Sequence, residues 1–358
     1  MYTYEKRWEQ IQDELKKEKA DAFVSIQEGN NRWLCCAHIP SFPLVTHVII
    51  PKKGKPMAIG SSLEQFRIGD ECAIKNVKIF TPHPFIKRDG KTGMAILKKE
   101  LKKMNAKTVI FDSKPKGIRG KQKNLVEKYR MEKSAPELKA MREAARLTDK
   151  AAKVLENELI KPGKTERQVA VELDCELRSN KNVQAVSFET IVAAGKHAAY
   201  SHHDNTSSKL KNGDLVICDF GIYVDGYCSD MTRTFPVGNI SEKLHEIYNI
   251  VYEAQQKAIK SVKAGRPYHE VDDAARGVIK EYGYAKYFVH SLGHGLGLEV
   301  HEAVAGINVS SKTKMKKNHV FTIEPGVYVP DIGGVRIEDD VLVTGMGAEL
   351  LTKYPKKL

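Results

Sequence analysis

The chain lacks the marks of several broad function classes. Its six cysteines show no CxxC spacing: Cys35 and Cys36 adjoin, and Cys175, Cys218 and Cys228 lie in apolar or periodic segments. Buried free thiols in a reducing compartment are the expectation. No run of eighteen apolar residues is present, so no membrane span and no membrane partner is predicted. The opening MYTYEKRWEQ is charged and carries no signal-like apolar stretch, which predicts a cytoplasmic protein. No GxGxxG follows a strand pattern. KPGKT lacks the glycine spacing of a phosphate loop and GHGLG lacks its lysine. The net charge of +13 comes from dispersed lysine clusters without aromatic interleaving. That describes a solvated basic surface, and nucleic acid is not a predicted partner.

At 358 residues the chain is long enough for two domains and a large core without disulfides. Its first part alternates short apolar strands (DAFVSI, HVIIP, PMAIG, VKIFTP, KTVIFD) with charged helices (YEKRWEQIQDELKKE, TGMAILKKELKKM). This alternation predicts an α/β domain over residues 1–131, a scaffold or substrate-gating lobe. Ser134-Ala-Pro-Glu137 then has the form of a capped helix start, which opens a second domain over 132–358. Within it KPGKTERQVA (161–170) resembles KAGRPYHEVD (263–272) at an offset of 102 residues. Gly163 and Gly265 suit left-handed positions after helices. A duplicated α+β unit is implied.

Acidic residues stand in segments that should be buried. Asp219 lies in VICDFG, Asp230 in YCSDMTRTF, Glu324 in FTIEPG and Glu338 in GGVRIEDD. A buried carboxylate is costly unless it is paired or binds metal. Asp225-Gly226 predicts a two-residue hairpin turn, which sets Asp219 opposite Thr232 and Asp230 opposite Gly221. Both aspartates then face one side of the sheet, where they repel unless a cation lies between them. In GVRIEDDVLV, period-two alternation puts Arg336 and Glu338 on one face, so the arginine is placed to steady that carboxylate or a substrate anion.

HSLGHGLGLEVHE adds His290, His294 and His301 among glycines that permit close approach to the backbone. His202, in AAYSHHDN, precedes the acidic hairpin and is a candidate for binding substrate or a developing oxyanion. Four carboxylates and one imidazole suit two divalent cations, and hence a dinuclear hydrolase. Mn²⁺, Co²⁺ and Zn²⁺ all match these ligands, and phosphate-ester hydrolysis remains open beside peptide hydrolysis.

The motifs DFG…DGYCSDMTRTF, HSLGHGLGLEVHE, TIEPGVY and GGVRIEDD resemble those of the pita-bread metallopeptidases, which include methionine aminopeptidase, aminopeptidase P, prolidase and creatinase. The likeness covers residues 135–355 specifically. Residues 1–130 resemble the creatinase-type amino-terminal domain more loosely. The implied architecture is an α/β domain followed by an α+β pita-bread domain with a pseudo-twofold repeat. The implied metal ligands are Asp219, Asp230, His294, Glu324 and Glu338, with Mn²⁺ or Co²⁺ favoured. Glu324 would shuttle a proton, His202 and His301 would contact substrate and the tetrahedral intermediate, and His290 and Arg336 would line the proline side. Ser201-His202-His203 departs from the family's usual Pro-His or His-Gly, so His203 competes with His202. The resemblance points to Xaa-Pro dipeptidase, with aminopeptidase P as the alternative and a non-catalytic peptide-binding module as the reading of a different class. It also implies a homodimer, for which Trp33, Leu34 and the HIPSFP segment are candidate contacts, with a core or hairpin role as the alternative for Trp33.

Overall fold

The computed structural model describes residues 4–36, 43–86, 88–356 and 358, with only the backbone of 303–305. The chain forms two compact units, Met1–Arg130 and Met131–Leu358. The first contains α1 (Tyr4–Lys17), β1 (Ala22–Ser25), α2 (Glu28–Cys35), β2 (His47–Pro51), β3 (Met57–Ser61), α3 (Gln65–Glu71), β4 (Val77–Phe80), α4 (Gly93–Lys103), β5 (Val109–Phe111) and β6 (Lys121–Gln122), and ends in α5 (Glu127–Met131). Its strands make one mixed sheet in the order β4-β3-β2-β1-β5-β6. Val24, Ile49, Ile59, Ile96, Leu97 and Phe111 build part of the core.

The five predicted strands and both predicted helices are present, and Thr92 caps α4 through Ala95 N. Helix α2 has no sequence signal: EGNNRWLC contains glycine and two asparagines, poor helix formers. Tertiary bonds hold it instead. Asn30 Nδ2 donates to Asp112 Oδ2 at 2.9 Å, and Arg7 Nη1 donates to the Trp33 carbonyl at 2.6 Å. Trp33 and Leu34 are buried in this unit, with Trp33 stacked on Tyr129; Trp33 thus takes the core role rather than that of a contact between copies, and the contact expected of Leu34 is corrected. Of HIPSFP, residues 38–42 lie outside the described residues.

The second unit continues with α6 (Ala135–Val154), α7 (Glu166–Ser179), β7 (Ala185–Val186), β8 (Ile191–Ala194), β9 (Leu215–Phe220), β10 (Ile222–Val224), β11 (Tyr227–Cys228) and β12 (Met231–Pro236). Then follow α8 (Glu242–Ser261), α9 (His269–Glu281), β13 (Gly293–Gly295), β14 (Glu302–Ile307), β15 (Val320–Ile323), β16 (Gly326–Val329), β17 (Gly333–Arg336), β18 (Asp339–Val343) and β19 (Ala348–Leu350). Helices α6 and α7 share a core with β8, β9 and β12, while α8 and α9 share one with β15 to β18. At the start of α6, Glu137 Oε2 accepts from Ser134 N at 2.7 Å and closes the predicted capping box.

The predicted repeat has a structural counterpart. Gly163 and Gly265 take φ of 92° and 90°. Each then donates its N–H to a later segment, Gly163 to Leu210 O and Gly265 to Met315 O. Residues Thr165 and Lys209 form an isolated antiparallel bridge, as do Pro267 and Lys314. Each half is therefore a helix–turn–helix pinned to its own β-structure.

The halves meet along β12. Glu338 N donates to Thr232 O, and Thr234 Oγ1 donates to Arg336 O. Arg233, 1% exposed, donates to Asp339 Oδ1 at 2.7 Å and to the carbonyls of Glu338 and Tyr354. Lys356, Gln255 and Thr352 also donate to Asp339. The cysteines among the described residues are free, and Cys175 is exposed rather than buried, because it sits on the solvent side of α7.

Candidate metal centre

The hairpin register is the one predicted: Asp219 pairs with Thr232, and Asp225 and Gly226 take φ of 48° and 80° in the turn. Strand pairing is interrupted at Gly221, where a Cβ would lie 2.0 Å from the Ser229 carbonyl. That interruption separates β9 from β10, and Asp230 N turns to donate to Asp340 Oδ2 at 3.1 Å. Asp219 and Asp230 consequently line one cavity of about 850 Å³. The second half supplies His294 from β13, Glu324 from the end of β15, and Glu338 from the junction of β17 and β18. Each of the nine predicted site residues, His202, Asp219, Asp230, His290, His294, His301, Glu324, Arg336 and Glu338, lines this cavity.

The donor set fits divalent cations. His294 Nδ1 faces the Gly295 carbonyl at 3.2 Å, and a carbonyl can only accept, so the ring proton belongs on Nδ1. The Nε2 lone pair then points at Asp230 Oδ2 (3.6 Å) and Glu324 Oε1 (3.3 Å). A lone pair facing two carboxylates is repulsive unless a cation joins them. Asp219 Oδ1 is buried without a hydrogen-bond partner among the described residues, the orphaned acceptor that a cation satisfies. Burial pushes the carboxylate pKa upward at Asp230, Glu324 and Glu338. Burial and then the Glu338, Asp219, Asp340 and Glu324 carboxylates raise Asp230 well above its usual range. Burial, then Glu324 and Asp219, raise Glu338 likewise. Glu324 is pushed up to about 8, by burial first, with Arg336 opposing and Asp219 adding. Burial and the neighbouring His301 bring His294 down to about 4, so its imidazole is neutral, as a ligand must be.

Arg336 is committed differently from the expectation. It steadies Asp219 rather than Glu338 directly, with Nη2 donating to Asp219 Oδ2 at 2.6 Å. Nε donates to Thr232 Oγ1 at 3.0 Å, and that hydroxyl donates to Glu338 Oε2 at 2.6 Å. Nη1 donates to Ser201 O and to Tyr328 Oη. Four of the five guanidinium N–H groups are thereby used among the described residues. His290 Nδ1 contacts the Ser291 carbonyl, which assigns its proton there, so Nε2 accepts from Tyr328 Oη at 2.9 Å. Thr232 and Tyr328 were missed as site residues. Thr232 was identifiable as the partner opposite Asp219, whereas Tyr328 shows nothing in TIEPGVY beyond its proximity to Glu324.

A second group, Glu166, His197 and His203, also brings possible ligands together. Here the histidine nitrogens lie 2.9 Å from the Glu166 oxygens, at hydrogen-bonding distance. Ala194 N, Thr206 N and Thr206 Oγ1 donate to the same carboxylate, so it is satisfied by protein donors. Burial raises Glu166, but these hydrogen bonds outweigh it and hold the group below its usual value.

The match to known proteins is extensive. Residues 139–345 match the model for metallopeptidase family M24. The chain is 42% identical over 235 residues to an Xaa-Pro dipeptidase of Pyrococcus furiosus, covering 66% of this chain and 67% of that protein. It superposes on an Xaa-Pro dipeptidase from Bacillus anthracis with a TM-score of 0.88 at 33% identity, covering 99% of each chain. An X-Pro aminopeptidase from Thermotoga maritima gives 0.81 at 28% identity, covering 96% of this chain and 99% of that one. An α/β unit followed by an α+β unit of pita-bread type, with oxygen donors and one imidazole gathered where its halves join, has its place among these enzymes: the chain belongs to metallopeptidase family M24.

Proposed function

We propose that this protein is an Xaa-Pro dipeptidase, in which Asp219, Asp230, His294, Glu324 and Glu338 hold two divalent cations. The carrying observation is the convergence of these five donors on one cavity, with the His294 Nε2 lone pair aimed at Asp230 and Glu324. Bound cations supply Lewis acidity there, polarising the scissile carbonyl and acidifying water. The oxygen-rich donor set suits manganese or cobalt, and zinc also matches it. Residues 1–131 are read as the creatinase-type domain and 132–358 as the catalytic domain. The homodimer and the cytoplasmic location rest on family likeness and on the sequence. Among the described residues no helix is long and apolar enough to cross a membrane.

The remaining chemistry falls to the chain's own groups. Glu324 holds the proton that must reach the leaving proline nitrogen. His202 and His301 stand at the cavity wall to donate to the carbonyl oxygen as charge develops on it. Loss of one such donor costs about 10²–10³ in rate. Arg336 fixes Asp219 and, through Tyr328, the orientation of His290. An Xaa-Pro aminopeptidase is the second reading, supported by the likeness to the Thermotoga maritima enzyme. Turnover of Ala-Pro and Leu-Pro against Xaa-Pro-Xaa tripeptides, at equal Mn²⁺ loading, separates the two. Preference for the dipeptides is expected. Preference for tripeptides with little dipeptide turnover selects the aminopeptidase, and loss of proline selectivity rejects both.

A further inference from the structure

The ring of His202 has no hydrogen-bond partner of its own among the described residues, yet it occupies the wall of the metal cavity. Its position is inherited from the backbone on either side. On one side Arg336 Nη1 holds the Ser201 carbonyl at 3.1 Å. Just upstream, the 3₁₀ turn Gly195–Ala199 packs directly on β17: a Cβ on Gly334 would lie 2.1 Å from the Ala198 carbonyl, and one on Gly333 2.8 Å from that of Gly195. Glycine at 333 and 334 therefore admits the turn against the strand that ends in Arg336.

The other hold is a single carboxylate. Glu166, fully buried in the first turn of α7, reaches four residues that bracket His202. Oε1 accepts from Ala194 N and His197 Nδ1, both at 2.9 Å. Oε2 accepts from His203 Nε2 at 2.9 Å, Thr206 N at 3.1 Å and Thr206 Oγ1 at 2.5 Å. The His197 and His203 rings stack with centroids 4.6 Å apart, so the two donors reach the carboxylate from one side as a pair. Five donors from residues 194–206 thus meet on this one carboxylate. The arrangement needs a two-oxygen acceptor: glutamine would set an NH₂ group against N–H donors, and aspartate falls one methylene short.

We propose that Glu166, acting through His197 and His203, is a positioning residue that sets where His202 meets the substrate. The proposal rests on the reading of His202 given above. Although both histidines line the cavity, it assigns His203, whose Nε2 is engaged by Glu166, to the clamp and His202 to the substrate. It also gives the buried acid of KPGKTERQVA a task in the reaction outside the five-donor set.

The test uses the full chain loaded with Mn²⁺ and compares Glu166→Gln, His203→Leu, His203→Gln, His197→Leu, His197→Asn and His202→Ala. Glutamine can place its amide N–H near His Nε2, and asparagine near Nδ1. Turnover of Ala-Pro should fall about 10²-fold in Glu166→Gln, the scale of a misplaced group, with KM and bound manganese unchanged. His203→Gln and His197→Asn should recover about tenfold or more over the leucine variants, as restored positioning predicts. Amide exchange in 195–206 should quicken in Glu166→Gln and His203→Leu and slow again in His203→Gln. Equal turnover in the leucine and amide variants overturns the proposal, and so does loss of manganese in proportion to turnover. An additional divalent ion per chain that disappears in His203→Leu makes the cluster a metal site and also overturns it. Should Glu166→Gln fail to fold, the histidine pairs decide by themselves. Full turnover by His202→Ala overturns the catalytic reading and this one with it. Loss in His202→Ala with none in Glu166→Gln overturns the positioning role alone.

Discussion

Thr232 Oγ1 lies between Arg336 and Glu338, accepting from the guanidinium Nε at 3.0 Å and donating to the carboxylate at 2.6 Å. One hydroxyl thus orients a ligand candidate from the second half while standing opposite Asp219 in the first. Thr232→Val keeps the shape and removes both bonds. Manganese affinity should fall about 10- to 100-fold, as when an outer partner of a ligand is lost, and Thr232→Ser should restore most of it. Competition titration against a chelating dye checks this, and unchanged affinity in the valine variant rejects the role of the bridge.

Arg336 joins Asp219, Thr232, Ser201 and Tyr328 through one planar group. Lysine supplies the charge without the fork. Arg336→Lys should therefore lose turnover nearly as fully as Arg336→Ala, by about 10²-fold given the precision that positioned groups require. Steady-state kinetics at saturating Mn²⁺ provide the comparison, and a fully active lysine variant would show that charge alone suffices.

Asp339 is fully buried and shared by Arg233, Lys356, Gln255 and Thr352. Burial raises its pKa, but Arg233 and Lys356 outweigh that and keep it ionised. Asp339→Ala leaves Arg233 as an uncompensated buried charge, which should cost about 3–5 kcal/mol of stability. Urea unfolding of the manganese-loaded protein measures it. A cost near zero would mean that the ion pair is dispensable.

His319 provides a pH signature. Lys316 N donates to its Nδ1, and Tyr268 Oη lies 2.8 Å from the same atom, so Nδ1 is the acceptor of a neutral ring. Burial, then Lys133 and Lys316, bring its pKa down to about 4. A folded value below the unfolded value, about 6.5, means that the unfolded chain takes up the proton first as pH falls. The contribution is complete above about pH 6.5 and is lost on the way down to about pH 4, a swing of at most about 3 kcal/mol. Thermal melts should fall across this window in the wild type and less steeply in His319→Phe. Parallel curves for the two proteins would exclude His319 as the source.

Removing the cations should abolish turnover. Dialysis of the full chain against a strong chelator should leave no measurable Ala-Pro hydrolysis, and Mn²⁺ should restore it. Asp230→Ala should remain inactive even at high Mn²⁺, because a carboxylate facing His294 is gone. Substantial hydrolysis in excess chelator contradicts the metal-dependent mechanism.

Local patterns made much of this site legible in the sequence. The Asp225-Gly226 turn determined a register that put Asp219 opposite Thr232, and strand period did the rest. Unsolvated acids inside apolar runs marked the ligand candidates. What escaped depends on contacts remote in sequence. Arg336 bonds Asp219, 117 residues away, rather than Glu338 two positions along, because Ile337 and Glu338 fall between β17 and β18, where the strand is interrupted. Glu166 gives no signal in KPGKTERQVA beyond that of an acid in the first turn of a helix capped by Thr165. Only the folded loop shows that residues 194–206 converge on it. Helix α2 exists through tertiary bonds that no propensity encodes.

The joining of the two halves along β12 also orders events during synthesis. Asp219 and Asp230 emerge from the ribosome more than a hundred residues before Glu338. Arg233 emerges with them, but its acceptors, Asp339 and the Tyr354 carbonyl, follow more than a hundred residues later. Until then the first half carries two carboxylates and an arginine whose counterparts do not yet exist. A pair of cations can be captured by the full donor set only after Glu338 has been made. Assembly of the full donor set therefore waits on the second half, and until then the carboxylates of the first half stand without the imidazole and glutamates they face in the folded chain.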